Sequence, residues 1–140
     1  MKVDYDAACT RLVEAMRVIH DVEHIQVTVV FDGQGTVNDL SNPGEDDGFT
    51  VIYTAKDKTA DAVIEHMALR AAKTGPVIVG SRDNLLTQSV AASGGDVCSP
   101  GALREWHASC ASRQVSSLRK RRQQNQIDWQ ADNPWRKLDS

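Results

Sequence analysis

The sequence lacks the features that mark several classes of protein. Its three cysteines, Cys9, Cys98 and Cys110, are odd in number, widely spaced and form no C-x-x-C pair, so neither a disulfide framework nor a zinc site is indicated. No apolar run approaches the roughly 18 residues of a membrane span, and the first residues lack the basic-then-apolar pattern of a signal peptide. We therefore expect a cytoplasmic protein with reduced thiols and no membrane partner.

The chain also has no net positive charge. The 140 residues carry 16 basic and 19 acidic side chains, for a net charge of -3, and 41% of them are hydrophobic. This composition provides one hydrophobic core and no global attraction to nucleic acid, so any affinity for RNA must come from a local basic patch. Such a patch lies near the C-terminus, in residues 113–126, where five basic side chains occur without an acidic one.

Strand and helix patterns alternate along the chain. Asp6 is a candidate cap for a first helix, residues 33–48 are rich in glycine and polar residues and predict a loop, and Ser99-Pro100 predicts the start of the last helix. The predicted strands are residues 25–31, 49–54, 76–80 and 97–98. The further predicted helices are residues 59–73 and 84–92. This alternation predicts an α/β fold of three layers with a central parallel sheet.

Three aspartates are expected at the rim where ligands of open parallel sheets bind, beyond the carboxyl ends of the strands. Asp32 directly follows the first predicted strand, Asp83 follows the third, and Asp61 lies in the first turn of the helix after the second. Clustered carboxylates repel one another unless they share a cation, and Mg²⁺ favours carboxylate oxygens and water. This arrangement suits metal-assisted cleavage of a phosphodiester, although aspartates at such positions also commonly cap helices.

Three successive segments together resemble the YacP-like NYN family of PIN-like domains. They are Val29-Val30-Phe31-Asp32-Gly33, then Val51-Ile52-Tyr53-Thr54 leading into Thr59-Ala60-Asp61, then Val77-Ile78-Val79-Gly80-Ser81-Arg82-Asp83. The likeness covers about residues 8 to 110, and the Thr-Ala-Asp step is its most specific element.

The resemblance implies an endoribonuclease that hydrolyses RNA phosphodiester bonds with Mg²⁺ or Mn²⁺. It implies catalytic and metal-binding roles for Asp32, Asp61 and Asp83, and Glu65, one helical turn beyond Asp61, is added as a weaker candidate for the metal or its water. Some members of the family act on messenger RNA at the ribosome. The alternative is a non-catalytic RNA- or ribosome-binding module that keeps the fold with a degraded site.

The sequence departs from the family pattern in two places. Arg82 intervenes between Ser81 and the acid at Asp83, which changes the usual Thr-Ser-Asp motif. Members of the family also open with an apolar strand ending in Asp-Gly-x-Asn, whereas here the first residues run almost directly into the first helix. We therefore expect the central strand of the sheet, and one acid of the site, to be missing.

The chain is divided into an NYN/PIN-like domain, residues 1–111, and a basic tail, residues 112–140, that contains two tryptophans. RNA contacts are predicted for six basic side chains: Arg82, Arg113, Arg119, Lys120, Arg121 and Arg122. The alternative interpretation of the tail is a solvated extension of the last helix or a disordered end, which is the usual nature of such charge runs. The four histidines share no ligand spacing, and Cys98 is expected to be a small core residue.

Overall fold

The computed structural model describes residues 2–45 and 48–132. This part of the chain contains four α-helices and five strands, with a short 3₁₀ turn, Pro43–Glu45, before the third strand. The elements are α1 (Lys2–Glu23), β1 (Val27–Phe31), β2 (Asp39–Ser41), β3 (Phe49–Tyr53), α2 (Ala60–Ala71), β4 (Ile78–Gly80), α3 (Asn84–Ala92), β5 (Asp96–Cys98) and α4 (Pro100–Asp132).

The last three helices begin at side chains that cap them. The Thr59 hydroxyl accepts a hydrogen bond from the Ala62 amide at 3.1 Å, and the Ser99 hydroxyl accepts one from the Ala102 amide at 3.1 Å. Asp83 caps α3 in the same way. Each cap satisfies an amide that the first turn of a helix leaves unpaired, and the predicted starts of these helices are confirmed.

Two local predictions were wrong. Asp6 does not cap α1, because the helix already begins at Lys2 and the Asp6 carbonyl accepts a hydrogen bond from the Thr10 hydroxyl at 2.9 Å within it. The predicted loop 33–48 contains β2, which pairs antiparallel with β3. All three residues of β2 are exposed, so the strand forms by pairing with the edge of β3 and has no apolar alternation that would reveal it.

The strands of the described residues form two sheets. In the first, of order β1-β3-β2, β1 runs parallel to β3 with Val27 opposite Phe49. In the second, β4 runs parallel to β5 with Val79 opposite Val97. The predicted central sheet is thus divided between β1 and β4, and β2 adds an antiparallel edge to a core of parallel pairs.

Helices cover the sheets in two pairs, which gives the three predicted layers of the α/β fold. α1 packs with α4 and α2 packs with α3, while α2 also touches both β1 and β4. One buried cluster joins β1 and β3 to α1 and contains Val27, Val29, Phe49 and Val51. A second joins β4 to α2 and α3 and contains Ala68, Val79, Leu86 and Val90. Among the described residues, none of the helices combines the length and the apolar character that a membrane span requires.

The contact between α1 and α4 centres on the carboxylate of Glu23. It accepts hydrogen bonds from the Trp106 indole at 3.0 Å and the Cys110 thiol at 3.5 Å, and it forms an ion pair with Arg113. These donors lower the pKa of Glu23 to about 2, with Trp106 making the largest contribution and Arg113 the next. Donors that favour the charged carboxylate fasten the end of α1 to the first half of α4.

Candidate functional site

Asp32 connects the carboxyl end of β1 to the start of α2. Its Oδ1 atom accepts a hydrogen bond from the Ala60 amide at 2.7 Å, and Ala60 is the first residue of α2. The carboxylate therefore contacts the residue next to Asp61, at the positive end of the helix dipole, where a negative charge is favoured. The Asp32 residue is exposed to solvent.

The loop after Asp32 is held by the buried side chain of Thr54, which is 1% exposed. The Thr54 hydroxyl donates to the Lys58 carbonyl at 3.0 Å and accepts from the Gly33 amide at 3.3 Å. A Cβ atom at Gly33 would lie 2.1 Å from the Thr54 carbonyl oxygen. Glycine is therefore required at position 33 for the two chain segments to pass this closely, and this passage fixes the direction of Asp32.

Asp83 follows β4 and begins α3. Its Oδ1 atom accepts from the Leu86 amide at 2.8 Å, and its own amide donates to the Ser81 hydroxyl at 3.0 Å. The insertion of Arg82 into the motif is thus accommodated in a short turn that keeps the acid at the helix start. Arg82 itself is exposed.

Asp61, in the first turn of α2, is the point at which the three aspartates meet. The pKa of its carboxyl group is raised, first by partial burial, then by the charge of Asp83 and hydrogen bonding with it, and then by the charge of Asp32. A neutral Asp61 can donate a hydrogen bond to Asp83, whereas a charged one repels both neighbours. We call Asp32, Asp61 and Asp83 the acidic rim.

The donor chemistry of the acidic rim suits a hard divalent cation, because all of its oxygens belong to carboxylates. Asp32 and Asp83 each use one oxygen on a helix amide and keep one for another partner. However, the residues that the structure describes contain no group of three His, Cys, Asp or Glu side chains arranged to hold one metal ion. Closer approach of the three carboxylates would be needed for all of them to bind the same ion.

Glu65, the fourth predicted acid, contacts a different element. Its Oε1 atom accepts a hydrogen bond from the Ser89 hydroxyl at 3.2 Å. This bond joins α2 to α3, so the contact seen for Glu65 is between helices rather than with the aspartates.

Two tyrosines lie beside the acidic rim, and neither was predicted from the sequence to be a site residue. The Tyr5 hydroxyl donates to the Asp32 carbonyl at 3.4 Å, and the Tyr53 ring lies 5.3 Å from that of Phe31. Burial raises the pKa of both phenols, and nearby Cys9 raises it further. A tyrosine at the start of α1 carries no local motif, so only the packing of α1 against β1 reveals its position.

The predicted RNA-binding residues divide into two groups. Arg113 is engaged with Glu23 and stabilises the contact between helices. Arg119, Lys120, Arg121 and Arg122 are exposed on α4, which continues through residue 111 as one helix. Cys110 is fully buried, and at 1.5 Å per residue Arg122 lies about 18 Å farther along the helix axis.

The comparison with protein families gives one assignment. The model of the YacP-like NYN domain matches residues 1–138. No curated protein and no solved structure gives a significant match. NYN domains have a PIN-like fold and a nuclease-like function related to RNA, in agreement with the layers and acidic rim described above. Because the match spans nearly the entire sequence, the chain belongs to the YacP-like NYN family.

Proposed function

We propose that this protein is a divalent-metal-dependent endoribonuclease and that the acidic rim is its active site. The observation that carries the proposal is the meeting of Asp32 and Asp83, from different sheets, at Asp61 on α2. Three carboxylates that raise the pKa of one of their number are unfavourable without a cation. A carboxyl group with a shifted pKa, such as that of Asp61, beside the carboxyl ends of parallel strands is typical of functional sites.

Each residue of the proposed site would have a separate role in binding the metal ion or the RNA. Asp32, Asp61 and Asp83 would hold Mg²⁺ or Mn²⁺ through their carboxylates. When bound, the ion supplies positive charge that stabilises the phosphate during cleavage and activates the attacking water. The helix amides that bind Asp32 and Asp83 restrict both side chains to the rim. Arg82, which is exposed and precedes Asp83, would contact an RNA phosphate.

The substrate would be RNA whose backbone also reaches the exposed end of α4. Arg119, Lys120, Arg121 and Arg122 are consecutive, so they point around the helix and present charge to several directions. Arg113 is left out of this surface because it pairs with Glu23. Messenger RNA at the ribosome is the substrate that the family resemblance suggests.

Cleavage of end-labelled RNA by the purified full chain tests the proposal. We expect products with Mg²⁺ or Mn²⁺ and none with chelator. Asp61→Asn should lower the rate by about a hundredfold or more, because a charged ligand is removed. Asp57→Asn is the matched control, since Asp57 is exposed in the turn just before α2. Equal rates for the two variants, or cleavage in chelator, would overturn the acidic rim as the active site.

One observation favours a second candidate, a module that binds RNA without cleaving it. The described residues present no ready group of three metal-binding side chains, and a site with fewer ligands in place binds an ion more weakly. If binding is too weak for catalysis, RNA is still bound while the chain gives no products at any concentration of Mg²⁺ or Mn²⁺.

Salt dependence tests the basic surface separately from catalysis. Neutralising Arg119, Lys120, Arg121 and Arg122 to glutamine should reduce the slope of log affinity against log salt. The reduction should be about 0.7 for each phosphate of single-stranded RNA that these side chains neutralise in the wild type. Arg104→Gln, on the same helix near its start, serves as the control. An unchanged slope in the fourfold variant would remove the end of α4 from the RNA path.

A further inference from the structure

Aromatic side chains are scarce in this chain, yet several of them meet beside the acidic rim. The sequence contains two tyrosines and two phenylalanines. Tyr53 is the last residue of β3 and pairs in register with Phe31, the last residue of β1. The Tyr5 hydroxyl, from the first turns of α1, donates to the Asp32 carbonyl at 3.4 Å. Both tyrosines and one phenylalanine therefore lie at the same end of the sheet, and we call Tyr5, Phe31 and Tyr53 the aromatic platform.

The rings of the aromatic platform are supported by the core and still reach solvent. Phe31 packs against the buried cluster of β1 and β3, and its ring centroid lies 5.3 Å from that of Tyr53 at an interplanar angle of 30°. Tyr53 is 36% exposed and Tyr5 is 48% exposed. A tyrosine loses little conformational freedom when it binds a partner, because it has only two side-chain torsions. The platform thus offers a flat apolar surface that is ordered before anything binds to it.

The charges around the aromatic platform restrict what can cover it. Asp39, on the edge strand β2, pairs in register with Tyr53, and Asp6 follows Tyr5 in α1; both acids are exposed. Burial raises the pKa of Tyr53, and Cys9, Asp6 and Asp39 raise it further, so these carboxylates lie close to its phenol. Like charges repel at such distances. A phosphate is therefore disfavoured over the rings, whereas an uncharged flat group is not.

A nucleobase has the chemistry that this surface accepts. It is flat and uncharged, its faces stack on tyrosine rings, and amino groups on its edge donate to carboxylates. In single-stranded RNA the bases are free to turn outward and stack on aromatic side chains, whereas in a duplex they are already paired and stacked. The Tyr5 hydroxyl holds the backbone of Asp32, so a phosphate at the acidic rim has the base of an adjoining nucleotide beside the aromatic platform.

We propose that the aromatic platform stacks an unpaired base of the RNA, next to the phosphate that lies at the acidic rim. The substrate class would then be RNA that is single-stranded at this nucleotide, and paired RNA would be rejected because its bases cannot reach the rings. The identity of the ligand rests on the proposed function. Stacking, however, is measured without cleavage, so the two proposals can fail separately.

Fluorine NMR of the full chain, with fluorotyrosine in place of tyrosine, tests the stacking directly. The chain then gives two resonances, one for Tyr5 and one for Tyr53, which Tyr5→Phe and Tyr53→Phe assign. Chelator is present throughout. A short RNA strand without internal pairing should shift both resonances, because a stacked base exerts a ring current on them. The same strand annealed to its complement, or carrying abasic spacers in place of its bases, should leave both unshifted.

The affinity of variants separates stacking from attraction to the backbone. Tyr53→Leu should weaken binding of the single strand by about tenfold or more, because leucine keeps the apolar bulk and removes the aromatic face. Tyr53→Phe is the matched control and should bind as the wild type does. The abasic strand should bind all three proteins equally, since it has phosphates but no base to stack. Tyr5→Leu and Tyr5→Phe make the same comparison for the second ring.

The cleavage assay shows which of the two proposals fails. Shifted resonances together with no cleavage in Mg²⁺ or Mn²⁺ would support the aromatic platform and overturn the acidic rim as an active site. Cleavage with no shift of either resonance, or equal cleavage of single strand and duplex, would overturn the platform instead. In a chain that cleaves RNA, Tyr53→Leu should raise KM more than it lowers kcat, because stacking binds the substrate and takes no part in the chemistry.

Three other results contradict the proposal. The first is a shift that the duplex or the abasic strand reproduces. The second is an equal loss of affinity for the base-containing and abasic strands in Tyr53→Leu, which would mean that the variant disturbs the fold. The third is a shift that follows protein concentration without RNA, since a second copy of the chain would then cover the aromatic platform.

Discussion

The two sheets differ in how completely their side chains are covered. In the β1-β3-β2 sheet, Phe49 is 0% exposed and packs against His20 at 5.6 Å and beneath the Arg17 guanidinium at 5.3 Å. In the β4-β5 sheet, Ile78 is 53% exposed and Val97 is 46% exposed. The first sheet thus has a closed core, whereas the second relies on α2 and α3 and leaves the apolar side chains of Ile78 and Val97 about half exposed.

The difference shows which contacts hold the described part of the chain together. Within residues 2–45 and 48–132 the two sheets do not pair with each other, so helices connect them. α2 touches β1 and β4, Glu23 fastens α1 to α4, and the acidic rim collects one aspartate from each sheet. The candidate site and the contacts between the two sheets therefore lie at the same boundary. The predictions below test this boundary, from the change expected to have the largest effect to the smallest.

The largest effect is expected from truncation in the closed core. Phe49→Ala should destabilise the protein by about 3–5 kcal/mol, because a fully buried aromatic ring is removed and a cavity remains. Ile78→Ala should cost at most about 0.5 kcal/mol, as is usual for exposed positions. Urea unfolding followed by circular dichroism measures both. Similar losses of stability for the two variants would mean that the β4-β5 sheet is as well covered as the first.

The contrast between the sheets also explains which parts of the fold can be predicted from sequence. β3 and α3 were predicted almost to the residue, because a β-branched run and an Asp83 cap are local signals. β2 was missed because its pairing with β3, rather than its own side chains, makes it a strand. Glu23 and Trp106 are separated by 83 residues in the sequence, so no local sequence pattern predicts their contact.

The positions of the three aspartates of the acidic rim could also be predicted from local sequence signals. Asp32 and Asp83 follow apolar runs, so the carboxyl ends of the strands marked their positions. Their hydrogen bonds to the Ala60 and Leu86 amides required the structure, because helix ends from different parts of the chain must meet them. The site roles of all three aspartates remain predictions until cleavage is measured.

A smaller effect is expected from the link between α1 and α4. Glu23→Gln removes a charge that Trp106, Cys110 and Arg113 all contact, so the melting temperature at pH 7 should fall by several degrees. The pKa of Glu23 is lowered from 4.5 to about 2. A lowered carboxyl pKa stabilises the folded state above the unfolded pKa, and this contribution is lost as the pH falls.

The pH dependence provides the control for Glu23. The difference between wild type and Glu23→Gln should shrink between about pH 4.5 and pH 2, where the wild-type carboxylate becomes protonated. Glu14→Gln, on the same helix, should show no comparable loss of stability at pH 7. A difference that stays constant down to pH 2 would show that the variant acts by disturbing packing rather than by removing the charge.

The smallest effect, with the opposite sign, is expected at the acidic rim. The pKa of Asp61 is raised in the folded state above 3.8, so folding favours the neutral carboxyl group. The stability associated with this group is present below the unfolded pKa and is lost as the pH rises through the raised folded value. In the variant Asp61→Asn the side chain stays neutral, and its amide can donate to Asp83 at every pH.

Asp61→Asn should therefore be more stable than wild type at pH 7 in the absence of divalent ions, by at most about 1 kcal/mol because solvent screens exposed charges. The difference should vanish below pH 3.8, where both side chains are neutral. Adding Mg²⁺ or Mn²⁺ should reverse the order, because an ion that binds only the folded wild type stabilises it by mass action. Thermal melts of wild type, Asp61→Asn and Asp57→Asn, each with chelator and with ion, make the comparison. If Asp61→Asn is less stable than wild type in chelator at pH 7, the three carboxylates do not repel one another, and the argument for a shared cation between the two sheets fails.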